Sequence, residues 1–237
     1  MRTIRCFIDA PLPETGLAQL GKDSQHHLLK VLRLCHLQPI EAINGDGRVY
    51  CGELQVDGKT ASINILEIKA GIAPSPLSIH LYQAVGKGDA MDYALQKATE
   101  LGVREITPVF TEFSDVKLKG DRLAKKAAHW IGVIQSAVIQ CERAELPTLH
   151  TAIDPAVLPD HGIMLHPYAD QSLANWQTDA RSVNVLIGPE GGLSASEVEQ
   201  LSGRGWTGLT FGPRIMRMET AATAVLAMLQ AKFGDLG

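Results

Sequence analysis

Three segments rich in glycine and proline each follow a short apolar run. They are Leu165-His166-Pro167, then Leu186-Ile187-Gly188-Pro189-Glu190-Gly191-Gly192, then Phe211-Gly212-Pro213-Arg214-Ile215-Met216-Arg217, which leads into Met218-Glu219-Thr220. Paired glycines let a backbone approach a ligand closely and take positive φ. The middle segment lacks the Lys-Ser/Thr of a phosphate-cradling loop and the G-x-G-x-x-G of a dinucleotide site. Gly86 and Gly88 begin that dinucleotide pattern, and Met91 breaks it. A lysine-free glycine loop carrying Glu190 suits a neutral or cationic ligand better than a phosphate. The sulfonium and adenine of S-adenosylmethionine fit that description. A tight turn between a strand and a helix would explain the same residues equally well.

The last segment is more telling. Arg214 and Arg217 fall just before or within the first turn of the helix expected over Met218 to Phe233. Cations there oppose the helix dipole by roughly 0.3–1 kcal/mol each. A purely structural design would avoid them. An anion, such as an RNA phosphate or a base developing negative charge, relieves the conflict. Glu219 favours the dipole from the first turn, so it has a structural reading beside a chemical one. Thr220 is placed to cap the helix or line a pocket.

Such loops need a scaffold, and the pattern of the chain supplies one. From Leu77 onward apolar strands alternate with amphipathic helices. The expected strands are Leu77 to Val85, Arg104 to Phe110, Gly162 to Pro167, Val183 to Glu190 and Gly208 to Pro213. The expected helices are Asp89 to Gly102, opened by Asp89, then Asp121 to Gln140, Ser194 to Gly203 and Met218 to Phe233. Ser194 with Glu197 has the spacing of a capping box. Strand and helix in alternation imply a mainly parallel sheet covered on both faces, with ligands beyond the carboxyl ends of the strands. Before the proline-rich boundary at 70–76 the chain changes character. Pro39 to Asn44 and Arg48 to Val56 read as strands joined through Asn44-Gly45 and Asp46-Gly47, with a further strand from Thr60 to Ile68. Asp23 to Leu34 reads as a helix capped by Asp23 or Ser24. This first part is a small, mostly β domain, plausible as a barrel.

Composition narrows the function. At 45% hydrophobic and 20% charged the chain is ordinary for a soluble globular protein with a sizeable core. Its apolar runs, such as Ala224 to Leu229, are far shorter than the roughly 18 residues of a membrane span. The first residues have no apolar signal region, so a cytoplasmic location is expected. The four cysteines, Cys6, Cys35, Cys51 and Cys141, have no C-x-x-C spacing and no metal-ligand histidine cluster beside them, so free thiols and no metal are expected. The net charge of −4 argues against a general nucleic-acid binder. A local patch can still bind RNA. Lys117 to Lys126 holds five bases against one acid, which also describes a solvated helix face.

The segments Leu186 to Glu199 and Gly212 to Leu226 resemble the C-terminal signature of SPOUT methyltransferases of the RsmE family. Gln96 to Phe110, Gln25 to Leu34 and the final Phe233-Gly234-Asp235-Leu236-Gly237 are similar to that family as well, so the likeness spans essentially the whole chain. The resemblance implies an α/β protein with an N-terminal PUA-like β-barrel (residues 1–72) and a C-terminal SPOUT domain (residues 73–237) with a mainly parallel sheet and a deep trefoil knot. It implies a homodimer that uses S-adenosylmethionine to methylate N3 of a uridine in 16S ribosomal RNA of the small subunit, with no metal and no membrane. Carried over, Arg217, Glu219 and Thr220 match the family's R-x-E-T element. The three glycine- and proline-rich loops become the cofactor site, with Arg217, Glu219 and Arg214 as catalytic candidates. Glu112-Phe113-Ser114 stands where the family often has Glu-Arg-Ser, and Ile139-Gln140 where it often has Glu-Gln before the arginine matching Arg143. Both departures remove a charged side chain. For RNA contact the candidates are Arg2, Arg5, His26, Lys30, Arg33, Lys87 and Arg143. Trp130 reads as core or subunit interface, and Met216 and Met218 as packing. Two other readings compete: a SPOUT-type enzyme for another base or for ribose, and a non-catalytic ribosomal RNA-binding factor. A nucleotide-dependent oxidoreductase fails on the missing dinucleotide fingerprint.

Overall fold

The computed structural model describes residues 4–58, 60–114 and 118–237. The chain divides into two compact units. One holds Met1–Pro74 together with Val138–Leu146, the other Ser75–Ala137 together with Pro147–Gly237.

The first unit carries strands β1 (Ile4–Phe7), β2 (Gly16–Gln19), β3 (Pro39–Ile43), β4 (Arg48–Asp57) and β5 (Thr60–Ala70). They form one sheet in the order β1-β3-β4-β5-β2. Only β1 and β3 pair in parallel; the other pairings are antiparallel. Side chains alternate across a strand with period two. Accordingly Leu54 on β4 and Ala61, Ile63 and Ile65 on β5 point into a core shared with Cys6, Leu28, Ile40 and Tyr50. The β4–β5 register shifts between Cys51 and Gly52. A Cβ at Gly52 would stand 2.2 Å from the Asn64 carbonyl oxygen, so only glycine fits that bulge.

Helix α1 (Lys22–His26) corrects the expected cap. Gly21 is its N-cap and no side chain caps it, while the Ser24 hydroxyl donates to the Phe7 carbonyl at 3.3 Å. The sequence pattern carries this helix to Leu34, but it ends in a π turn at His27–Val31. Leu28, the buried residue of that turn, anchors it against the sheet core.

The second unit contains β6 (Ser78–Ala84), α2 (Gly88–Glu100), β7 (Glu105–Val109), α3 (Gly120–Gln140, belonging here up to Ala137) and β8 (Thr148–Leu149). It continues with β9 (Gly162–Leu165), β10 (Gln171–Ser172), β11 (Ser182–Ile187), α4 (Ala195–Gly203), β12 (Trp206–Thr210) and α5 (Met218–Phe233). The sheet order is β10-β12-β9-β11-β6-β7-β8, and every pairing is parallel. Buried runs such as Val183, Val185, Leu186 and Ile187 on β11 are what a sheet covered on both faces requires. On α2 the buried Met91, Ala94, Leu95 and Ala98 follow helical spacing, and α2 packs along α5. Another buried cluster joins Tyr82, Met164, Leu186 and Trp206 to Leu201 of α4. The expected capping box of α4 is present. Ser194 Oγ accepts from the Glu197 amide at 3.3 Å, and Glu197 Oε2 accepts from the Ser194 amide at 2.8 Å. Asp89 lies in the first turn of α2 and does not cap it; Lys87 is the N-cap. Trp130 is 1% exposed and belongs to the core.

The short strands β1, β2, β8 and β10 have no counterpart in the sequence pattern. Each is two to four residues long, too short to show a period. No helix among the described residues is long and apolar enough to cross a membrane.

Candidate active site

Strands β12, β9 and β11 are neighbours, so the loops that follow them meet at one edge of the sheet. That edge is the carboxyl end, where open parallel sheets place ligands. After β9, Leu165 and His166 are half-buried and Pro167 is exposed. The His166 amide donates to the Leu209 carbonyl at 3.0 Å, tying this loop to β12. After β11, Leu186, Ile187 and Pro189 are buried and Glu190 and Gly191 exposed. The turn closes by a bond from the Gly192 amide to the Pro189 carbonyl at 2.9 Å, with Gly192 at φ +75. After β12, Phe211 and Met216 are half-buried, while Gly212, Pro213, Arg214 and Ile215 are exposed.

The loop after β6 joins this edge. Glu190 Oε1 accepts from the Lys87 amide at 3.3 Å. A Cβ at Gly86 would stand 2.5 Å from Met218 Cε and 3.2 Å from Glu190 Oε1, so the start of α5 and the glycine loop both close upon Gly86. Met218 is buried packing, as its pattern suggests. The loop after β7 arrives from the other side. A Cβ at Gly191 would stand 3.0 Å from Phe113 Cβ. Glu112, Phe113, Ser114 and Gly191 line a cavity of about 480 Å³. The turn that presents Phe113 is pinned twice: the Glu112 amide donates to Glu197 Oε1 at 2.8 Å, and the buried Thr111 and Ser114 hydroxyls bond at 2.9 Å. Phe113 is 48% exposed. Phe113 is absent from the sequence candidates because it departs from the family pattern; the departure itself is the one signal that points to it.

Arg217 is the N-cap residue of α5, exposed and making no side-chain cap bond. Glu219 lies in the first turn. Both line a groove of about 620 Å³ between α2 and α5, together with Thr220, Asp89 and Tyr93. Thr220 is therefore in the groove wall and does not cap the helix. Arg214 is exposed in the preceding turn and does not line this groove. The groove thus sets a cation at an amide-rich helix start beside two carboxylates.

The RNA-contact candidates separate. Arg5 is corrected. Its guanidinium bonds Glu41 Oε2 at 2.6 and 3.0 Å and the Glu142 carbonyl at 2.6 Å, and its side chain is 12% exposed. It is an internal clamp of the first unit. His26, Lys30 and Arg33 are exposed together on α1 and the turn after it, with Arg33 in the left-handed region at φ 54. Lys87 is exposed beside the glycine loop, and Arg143 is half-buried in the first unit. Arg2 and Lys117 lie outside the described residues. On α3, Lys126 and His129 both reach Asp92, at 3.4 and 2.6 Å, while Arg122 and Lys125 are exposed, as is Lys119 just before the helix.

Residues 73–230 match the family model described as an RNA methyltransferase domain, so the α/β unit with its three-loop edge is a domain of that class. Ribosomal RNA small subunit methyltransferase E of Buchnera aphidicola subsp. Schizaphis graminum is 33% identical, over 99% of this chain and 98% of that one. The enzyme of the same name from Bacillus subtilis is 27% identical over 92% and 91%. Among solved structures, a Legionella pneumophila protein in complex with S-adenosylmethionine superposes with a TM-score of 0.94 at 34% identity, covering 100% of both chains. Ribosomal RNA small subunit methyltransferase E of Neisseria gonorrhoeae, bound to S-adenosylmethionine, gives 0.91 at 30%, again over 100% of both. The chain belongs to the ribosomal RNA small subunit methyltransferase E family.

Proposed function

We propose that this protein methylates N3 of a uridine in 16S ribosomal RNA of the small ribosomal subunit, with S-adenosylmethionine as donor. The observation that carries the reading is the lysine-free glycine loop at the carboxyl edge of a parallel sheet, next to a groove holding Arg217 and Glu219. Two relatives were solved with that cofactor. The residues here fit it: backbone groups of 165–167, 186–192 and 211–216 can hold an adenosine, and the exposed Glu190 carboxylate suits a sulfonium. When bound, the cofactor supplies a methyl group already activated on sulfur, so the chemistry requires no metal.

The protein's part is to prepare the nucleophile. N3 of uracil carries a proton and attacks poorly until that proton leaves. Glu219 accepts the proton, and Arg217 stabilises the negative charge spreading onto the ring oxygens. Arg214, exposed in the turn before α5, serves as a further cation toward the RNA. The base must leave its stack to arrive there. Phe113, pinned beside Gly191, offers a ring for it to stack upon. His26, Lys30, Arg33, Lys87 and Arg143 hold the surrounding RNA.

The architecture behind this reading is a PUA-like barrel over residues 1–72 and a SPOUT domain over 73–237. A deep trefoil knot belongs to that architecture, and the strand order, with β12 between β9 and β10, agrees with it. The protein acts as a cytoplasmic homodimer. A mildly acidic chain gains little from general phosphate attraction, so the assembled subunit is a better substrate than naked RNA. Mass mapping of ribosomal RNA from cells with and without the gene tests the reading. One uridine that loses a methyl group, located to N3 by fragmentation, supports it. An unchanged map, or loss from ribose or another base, overturns it.

A further inference from the structure

At the other flank of the parallel sheet, on β6 to β8, side chains far apart in sequence converge. His80 Nδ1 stands 3.8 Å from Glu105 Oε2, and His150 Nε2 stands 2.7 Å from the same oxygen. The ligand atoms of His80, Glu105 and His150 all lie within 4.8 Å of one another. The two imidazoles stack at 5.2 Å, and His80 also stacks on Tyr82 at 4.1 Å, which fixes the plane of its ring. We propose that His80, Glu105 and His150 form a site for one divalent transition-metal ion of the zinc class, separate from the methyl-transfer edge.

The donor set is right for such an ion. Two imidazoles and one carboxylate, with a fourth position open to water, is a recurrent zinc arrangement. Ligands held about 2.0–2.2 Å from a tetrahedral ion lie roughly 3.3–3.5 Å apart. The separations of 3.8 and 2.7 Å bracket that value. Glu105 and His150 are 44% and 40% exposed in their side chains, so they can open from 2.7 Å by the roughly 0.6–0.8 Å that an ion requires. His80 is the rigid member. Thr107 Oγ1 lies 2.8 Å from its Nε2, placed to accept from the Nε2–H tautomer that leaves Nδ1 to ligate. Neutral imidazole is the ligating form. Tyr82 Oη, 3.1 Å from Nδ1, satisfies that nitrogen when no ion is bound.

The site sits at one edge of the sheet. Strand β8 is two residues long and forms the edge, and His150 follows it directly. An ion bridging His150 to β6 and β7 fastens that edge, so its effect is on stability and not on the methyl-transfer step.

The test uses the full chain, stripped of metal with a chelator and titrated with Zn²⁺ by calorimetry, then with Co²⁺ by visible absorption. One equivalent per chain should bind and raise the melting temperature, as any ligand specific to the folded state does. His150→Ala and Glu105→Gln should each weaken binding about tenfold or more, and Thr107→Val by about 10–100-fold. Circular dichroism checks that each variant is folded, and the exposed positions of Glu105 and His150 favour that. Absence of binding at Zn²⁺ concentrations well above micromolar overturns the proposal. So does binding that all three variants leave unchanged. A Co²⁺ spectrum with thiolate charge-transfer bands also overturns it, since the ion would then sit on a cysteine such as the exposed Cys35.

Discussion

The two flanks of the parallel sheet are built on opposite principles. The edge formed by the ends of β9, β11 and β12 is mostly backbone: glycines and prolines, a tight 189–192 turn, few side chains with fixed partners. At the β6–β8 flank, side chains do everything: three potential ligands, a hydroxyl that orients one of them, and stacked rings that hold the plane. The first design suits a cofactor that must bind, react and leave, since loops can adjust around it. The second suits a small ion that stays, because one oriented imidazole and two adjustable ligands can close around it.

The largest effect is expected at Arg217, the side chain proposed to stabilise charge beside the backbone edge. Arg217→Ala should lower the single-turnover methylation rate at saturating small subunits by roughly 10²–10³-fold, the scale of losing one transition-state donor. Affinity for S-adenosylmethionine should change little. Melting temperature should stay flat or rise slightly, because a cation opposing the α5 dipole is gone. A wild-type rate at saturation would remove Arg217 from the chemistry and leave it a phosphate contact.

Backbone recognition is tested at Gly191. Gly191→Val places a branched side chain where even a Cβ would meet Phe113 Cβ at 3.0 Å. Calorimetry should show S-adenosylmethionine binding weakened about tenfold or more, equivalent to about 1.4 kcal/mol. Unchanged affinity would show that this loop does not carry the cofactor.

Phe113 is the exception among the loops, an exposed ring held at the backbone edge. Base–aromatic stacking contributes about 1–3 kcal/mol. Phe113→Ala should therefore raise KM for the subunit by roughly tenfold, with S-adenosylmethionine affinity held, and Phe113→Trp should restore it. A failure of Trp to restore KM would reduce Phe113 to loop packing.

The smallest effect belongs to the support beneath that loop. Ser194→Ala removes half of the α4 capping box and should cost about 1 kcal/mol, or about 2–4 °C in melting temperature. Because Glu197 Oε1 also holds the Glu112 amide at 2.8 Å, Glu197→Ala should loosen the Phe113 turn and raise KM as well. Equal KM values for the two variants, alongside their melting temperatures, would separate α4 from the substrate side.

Features local to the chain are legible in the sequence. The alternation of strands and helices after Leu77, the Ser194–Glu197 box and the three loops rest on contiguous residues, so period and spacing reveal them. The motif resemblance carries the cofactor and the arginine–glutamate pair the same way. Other features escape. Arg5 reads as a surface cation, yet the fold sets Glu41 on the paired strand beside it and turns it inward. The helix from Asp23 reads through to Leu34, yet it ends in a π turn at Val31 with Leu28 held in the core. Strand order, with β12 between β9 and β10, follows from packing among elements and leaves no local trace.

The class of scaffold, the glycine-rich loops and the residues at the start of α5 are written in the chain, because each is a property of neighbours along it. Tertiary packing alone brings the three loops to one edge, sets Phe113 against Gly191, and turns His80, Glu105 and His150 toward a common point. Those are properties of parallel pairing. The β6–β7 register sets His80 opposite Glu105 and the β7–β8 register sets Glu105 opposite Thr148, two residues before His150. A register is chosen by the burial of whole strands, and no spacing within one segment records it.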